Sequence, residues 1–175
     1  MTITSYIQIA LLCIFLVLGQ VFLFDLIHFT GFGKIIVYPL IILLLPIYTP
    51  RFIVMLTGFG IGYLLDFLLG TGGLHTAALT FMAYSRGYIL DVMSPNTGFD
   101  KNSISPLQEM GTGRFLLFVL IMLLIHQIAF YTIERFSFQN FIFTIRRIVS
   151  GTLVSSATIA LLTLLFISTG NKRKI

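Results

Sequence analysis

The sequence predicts an all-α polytopic membrane protein of about six transmembrane helices. Three observations carry that prediction. Hydrophobic residues make up 57% of the chain and charged residues only 10%. The mean hydropathy is +1.01. Apolar stretches near the length of a bilayer crossing recur between short polar breaks. Soluble domains carry roughly 25% charged residues, and a helix needs about 20 mostly apolar residues to cross the hydrocarbon core. Residues 1–175 therefore read as a single transmembrane domain. The net charge of +5 comes from eleven Lys and Arg residues placed mainly at the ends of apolar segments. Membrane orientation and lipid headgroups account for them there, so no nucleic-acid partner is expected. The lone Cys13 excludes an intrachain disulfide and a cysteine-only metal site, and reads as a buried, inert thiol.

Segment one runs from Ile7 to Phe24, with Gln20 its only strongly polar interior residue. It lacks a basic leader region and a small-x-small cleavage site, so it reads as a retained span. After the turn-forming run Gly31-Phe32-Gly33 comes segment two, Ile35 to Tyr48, about 14 residues and short for a crossing. Pro39 and Pro46 bracket its core. It fits a kinked helix, a tilted pair of half-helices or a re-entrant piece, and in the last case the spans number five. Segments three, Phe52 to Leu69, and four, Leu74 to Met93, form a tight helical hairpin. Gly70 to Gly73 permits the reversal because glycine tolerates the positive φ that such turns need.

Residues 94–113, Ser94 to Gly113, are the one long polar stretch and read as a cytoplasmic loop. Within it, Ser105-Pro106-Leu107-Gln108 fits the start of a short surface helix. Segment five spans Arg114 to Ile133 and carries His126 and Gln127 near its middle. Glu134 to Arg147 mixes arginines with Phe136, Phe138, Phe141 and Phe143, as interfacial segments do. Segment six, Ile148 to Ile167, presents Ser150, Gly151, Thr152, Ser155, Ser156 and Thr158 as a packing face. Six spans place both termini on one side. With the termini inside, the inner regions hold Arg51, Arg86, Lys101, Arg114, Lys172, Arg173 and Lys174, and the outer ones hold Lys34, Arg135, Arg146 and Arg147. Seven against four favours cytoplasmic termini.

The stretch Val54 to Met82 organises the rest. On a helix, Gly58, Gly62, Asp66 and Gly70 lie four apart and form one slowly drifting stripe. The GxxxG pair lets a neighbouring backbone come close. Asp66 belongs against that neighbour, because an ionised Asp facing lipid costs roughly 2.5 to 3.5 kcal/mol. Two readings of Asp66 stand: a pairing or gating carboxylate inside the bundle, or a group at the outer water boundary that hydrogen-bonds the turn. His75, just past the turn, is its nearest candidate partner, and His126 fits an interhelical hydrogen bond better than a proton-transfer role. Neither the HExxH spacing nor the GxxxxGK[ST] loop occurs. An Asp66–His75 dyad would still lack a nucleophile with a base and an orienter. No enzyme activity, cofactor or metal is expected.

One run is more specific: Gly62-Tyr63-Leu64-Leu65-Asp66-Phe67-Leu68-Leu69-Gly70-Thr71-Gly72-Gly73-Leu74-His75-Thr76-Ala77-Ala78-Leu79. It resembles the signature of the rod shape-determining protein MreD family, a Gly-hydrophobic-x-x-Asp run followed by a Gly-containing turn and a Gly/Leu-x-x-Ala-Leu helix start. Tyr63 departs from it, standing where an aliphatic residue is expected. The resemblance implies a non-enzymatic scaffold of the bacterial cell-elongation machinery in the inner membrane. Its implied partners are an MreC-like bitopic protein, an MreB-like filament, RodA and its transpeptidase, along with membrane lipid. It also implies a fold like the S-component, the substrate-binding subunit of vitamin transporters. That likeness supplies the alternative function, a membrane subunit binding a small vitamin-like molecule, with Asp66, His75 and His126 lining a central cavity.

Overall fold

The computed structural model describes residues 11, 13–25, 33–95, 98–99, 106–135 and 141–171, with the backbone alone at 108 and 164–171. Among them all regular structure is helical, as expected where backbone groups must be satisfied within their own segment. Helix α1 spans Cys13–Phe24 and widens into a π-helical turn over Gln20–Phe24. Helix α2 is Leu40–Leu44, α3 is Arg51–Leu69, α4 is Leu74–Met93, α5 is Pro106–Arg135 and α6 is Phe141–Asn171. Three stretches are long and apolar enough to cross a membrane: Arg51–Leu69, Glu109–Arg135 and Phe141–Thr163. Helix α4 is as long but carries His75, Arg86 and Asp91, and it buries the first two between α3 and α5. Successive pairs α3–α4, α4–α5 and α5–α6 pack against each other. Phe52, Phe67, Val92 and Ile142 are 74%, 77%, 82% and 84% exposed, an apolar exterior suited to acyl chains.

Segment two is where the fold departs from a helical bundle. Residues 33–37 are non-helical, Tyr38 and Pro39 turn, and α2 follows with only five residues. Ile35, Ile36 and Val37 are β-branched and disfavour helix. Pro39 has no N–H and biases the residue before it away from the α region. Pro46 acts likewise at the far end, leaving Leu45 extended with ψ 147°. The stretch runs the length of the bundle. Gly33 and Lys34 bond Ser150, early in α6, and Tyr131, late in α5. At the other end Leu45 and Pro46 meet Arg86, and Tyr48 bonds Phe99. Fourteen residues of α-helix would reach only about 21 Å. Extended chain advances about 3.3 Å per residue, so the same residues reach further. The segment is therefore neither a kinked helix nor a pair of half-helices. It is an extended stretch with one short helix, buried from Ile35 to Leu43.

Three smaller expectations need correction. The short helix at residues 106–110 exists, but Met110 is buried in the core, so it docks on the bundle instead of lying on the surface. Gly111, with φ 70° and ψ 165°, breaks it from the rest of α5; Ser105, its expected cap, lies outside the described residues. Residues 141–147 form the first turns of α6, not a separate interfacial piece, and Phe136 and Phe138 lie outside the described residues. Cys13 is half-buried.

Candidate functional site

The α3–α4 hairpin is built on small residues. A Cβ on Gly62 would lie 2.5 Å from the Thr76 Cα and 2.8 Å from the His75 carbonyl oxygen, and one on Gly58 would lie 3.0 Å from the Ala83 Cβ. Only glycine admits α4 this close. The turn that reverses the chain uses Gly70, Gly72 and Gly73 at φ 65°, 62° and 97°. Gly70 thus ends α3 as its left-handed cap and is exposed, so it is a turn residue and not part of the seam with Gly58 and Gly62.

Asp66 sits one turn before that cap and is 7% exposed. Its carboxylate accepts from the Thr76 N–H at 2.8 Å, the His75 N–H at 3.0 Å, the His75 Nδ1 at 3.1 Å, and the hydroxyls of Thr71 and Thr76. Helix α4 begins after Gly73, which has no side chain to cap it. Asp66 takes that role from the neighbouring helix, holding N–H groups of the first turn that would otherwise go unsatisfied. The anion also sits at the positive end of the α4 dipole. Each hydrogen bond to a charged group is worth roughly 1.5 to 3 kcal/mol. The two readings of Asp66 merge: it is buried in the bundle, and what it holds is the turn.

A second polar set serves the extended segment. Gln20 of α1 donates to the Ile35 carbonyl at 3.0 Å and accepts from the Val37 N–H at 2.9 Å. Ser155 of α6 accepts from the Ile36 N–H at 2.9 Å, and Ser150 from the Gly33 N–H at 3.0 Å. From α5, the Tyr131 hydroxyl accepts from the Lys34 N–H at 2.7 Å and Gln127 donates to the Lys34 carbonyl at 3.3 Å. Arg86 of α4 donates to the Leu45 and Pro46 carbonyls. Side chains do here what a ladder or helix does elsewhere, because a buried, unpaired backbone group costs roughly 1 to 3 kcal/mol. Gly33 and Gly151 let the segment lie against α6; a Cβ on Gly33 would lie 2.6 Å from the Gly151 Cα.

Between the two sets, His75, Tyr38, His126 and Phe130 pack ring on ring, with centroids 5.1 to 6.2 Å apart, and the Tyr38 hydroxyl meets the His126 Nε2 at 2.8 Å. The structure thus brings Asp66 and His75 into contact and reaches His126 through Tyr38. His126 bonds the central segment and not another helix. Ser156 and Thr158 of α6 bond carbonyls of their own helix. Ion pairs lie nearer the two ends: Lys34–Asp25 and Arg147–Glu134 at 3.1 Å each, and Arg51–Asp91 at 3.0 Å. Among the described residues no three His, Cys, Asp or Glu side chains gather as a metal site would require. Sequence reading did not single out Thr71, Thr76, Tyr38 or Tyr131. The one available signal was the pair of threonines flanking the glycine turn within reach of Asp66.

No protein-family model, no curated protein and no solved structure matches this chain.

Proposed function

We propose that this chain is a non-enzymatic scaffold of the bacterial cell-elongation machinery, a multi-pass protein of the inner membrane with cytoplasmic termini that partners an MreC-like bitopic protein. In this reading segment two completes six crossings of the bilayer. The observation that carries it is the use made of Asp66. The carboxylate at the centre of the MreD-like run closes a helical hairpin through five hydrogen bonds. Asp66 edges a pocket of about 280 Å3 together with Tyr63, Phe67, Gly72, Gly73 and Thr76, but neither His75 nor His126 is among its described lining residues. The vitamin-transporter alternative needs Asp66, His75 and His126 to line a cavity. His75 and His126 are instead 2% and 0% exposed and packed against Tyr38 and Phe130, which favours the scaffold. A rigid bundle with a broad apolar exterior suits a protein that positions the single spans of others.

The Asp66→Asn variant tests the proposal. An amide keeps one acceptor oxygen but turns an NH2 toward the donors of His75 and Thr76, so the hairpin loosens by about 2 kcal/mol while the apolar segments still insert. Co-purification with the MreC-like protein should weaken and cells should widen. Unchanged complex recovery with normal cell width would sink the reading.

A further inference from the structure

At the end of the bundle opposite Asp66, a cavity of about 330 Å3 lies among α3, α4 and the chain that leaves α2. Arg86 lines it, together with Arg51, Asp91 and Phe99. Arg86 is 2% exposed. Its partners are the carbonyls of Leu45 and Pro46, and its Nε, also buried, finds no acceptor among the described residues. Lys34, Arg51 and Arg147 each pair with a carboxylate, whereas among the described residues the Arg86 guanidinium meets only carbonyl dipoles. Asp91, the one carboxylate among the described residues of the lining, is drawn off by Arg51 at 3.0 Å and is largely exposed. The described residues of the lining therefore carry one more positive charge than negative. A desolvated cation without a counter-charge is costly, and that cost is relieved by an anion with forked acceptors.

The level of the cavity says which anion can reach it. Tyr48, Phe52, Tyr84 and Tyr88 surround this end and are 50%, 74%, 45% and 46% exposed. The Arg51 guanidinium lies 4.6 Å over the Tyr88 ring. Aromatic rings and arginine at the end of an apolar helix mark the depth of lipid headgroups. We propose that this cavity binds a phosphate oxyanion, held by Arg86 and supplied by the headgroup of an anionic phospholipid. The ligand completes the charge balance of the buried guanidinium and fastens the chain after α2 to the α3–α4 hairpin. This site is separate from the Asp66 cluster and does not depend on any protein partner.

The test uses the full chain purified in a neutral detergent, with native mass spectrometry for retained ligand and thermal melting for stabilisation. The probes are dihexanoyl phosphatidylglycerol, dihexanoyl phosphatidylcholine with the same tails, and inorganic phosphate. Two variants accompany the wild type: Arg86→Lys, which keeps the charge but loses the fork, and Ser94→Phe, which fills the cavity without touching the Leu45 and Pro46 carbonyls. The glycerol lipid should bind the wild type at least tenfold more tightly than the choline lipid and raise its melting temperature. Both variants should lose at least tenfold in that affinity, with Ser94→Phe melting near the wild type when no ligand is added. If inorganic phosphate stabilises equally and with the same sensitivity to both variants, the oxyanion site stands and its source is solution, not lipid. Equal binding of the two lipids, or phosphatidylglycerol binding that both variants leave unchanged, would overturn the proposal.

Discussion

The α3–α4 hairpin and the extended segment solve the same problem by opposite routes. Both must satisfy polar groups away from water. The hairpin does so locally: every partner of Asp66 lies within ten residues of it. The extended segment does so at long range, with partners 15 to 119 residues away on α1, α5 and α6. A local solution can form as soon as two helices meet. A distributed one holds only when the whole bundle is in place, so damage to any wall should be felt at the centre.

The largest effects should come from closing the two glycine contacts. Gly33→Ala and Gly62→Ala each drive a methyl into backbone less than 3 Å away, and each should destabilise the protein by about 3 kcal/mol in mixed-micelle unfolding. They should differ in reach. Amide hydrogen exchange in Gly62→Ala should rise chiefly across α3 and α4, whereas Gly33→Ala should raise it over residues 33–37 and the facing turns of α5 and α6. Matching exchange maps would erase the contrast drawn here. Gln20→Leu comes next. It strands the Val37 N–H and the Ile35 carbonyl together and should cost about 2 kcal/mol. Ser155→Ala strands a single N–H, that of Ile36, and should cost about 1 kcal/mol. Ser156→Ala removes only a bond to the Leu153 carbonyl of its own helix and should shift stability by under about 0.5 kcal/mol. Thermal melting of the two serine variants side by side separates a side chain that holds the central segment from one that does not.

The hairpin was readable in the sequence and the extended segment was not, for a physical reason. Four-residue spacing of Gly58, Gly62 and Asp66 is a helical pattern, and a carboxylate in an apolar run with a histidine beyond a glycine turn leaves few possible partners. The segment's own residues signalled only what it is not: two prolines and three β-branched residues in a row argue against helix. They carry no sign of what pairs with them. That information is spread over Gln20, Gln127, Tyr131, Ser150 and Ser155, each of which alone reads as an ordinary polar residue in a span. That the regular structure is helical, with three helices long and apolar enough to cross a membrane, followed from composition and length. The start of α6 at Phe141 did not, because arginines among phenylalanines look the same at a water boundary whether the helix has begun or not.

The long reach of those contacts also sets an order of events during synthesis. When residues 33–37 leave the ribosome, Gln20 already exists, but Tyr131 and Ser155 are still roughly a hundred residues from being made. Until then, several of the stretch's amides have no permanent acceptor, and acyl chains offer none. The stretch can be buried with its amides satisfied only once the two final helices arrive. A chain halted before α6 should therefore leave this stretch open to water-soluble labels that the finished protein excludes.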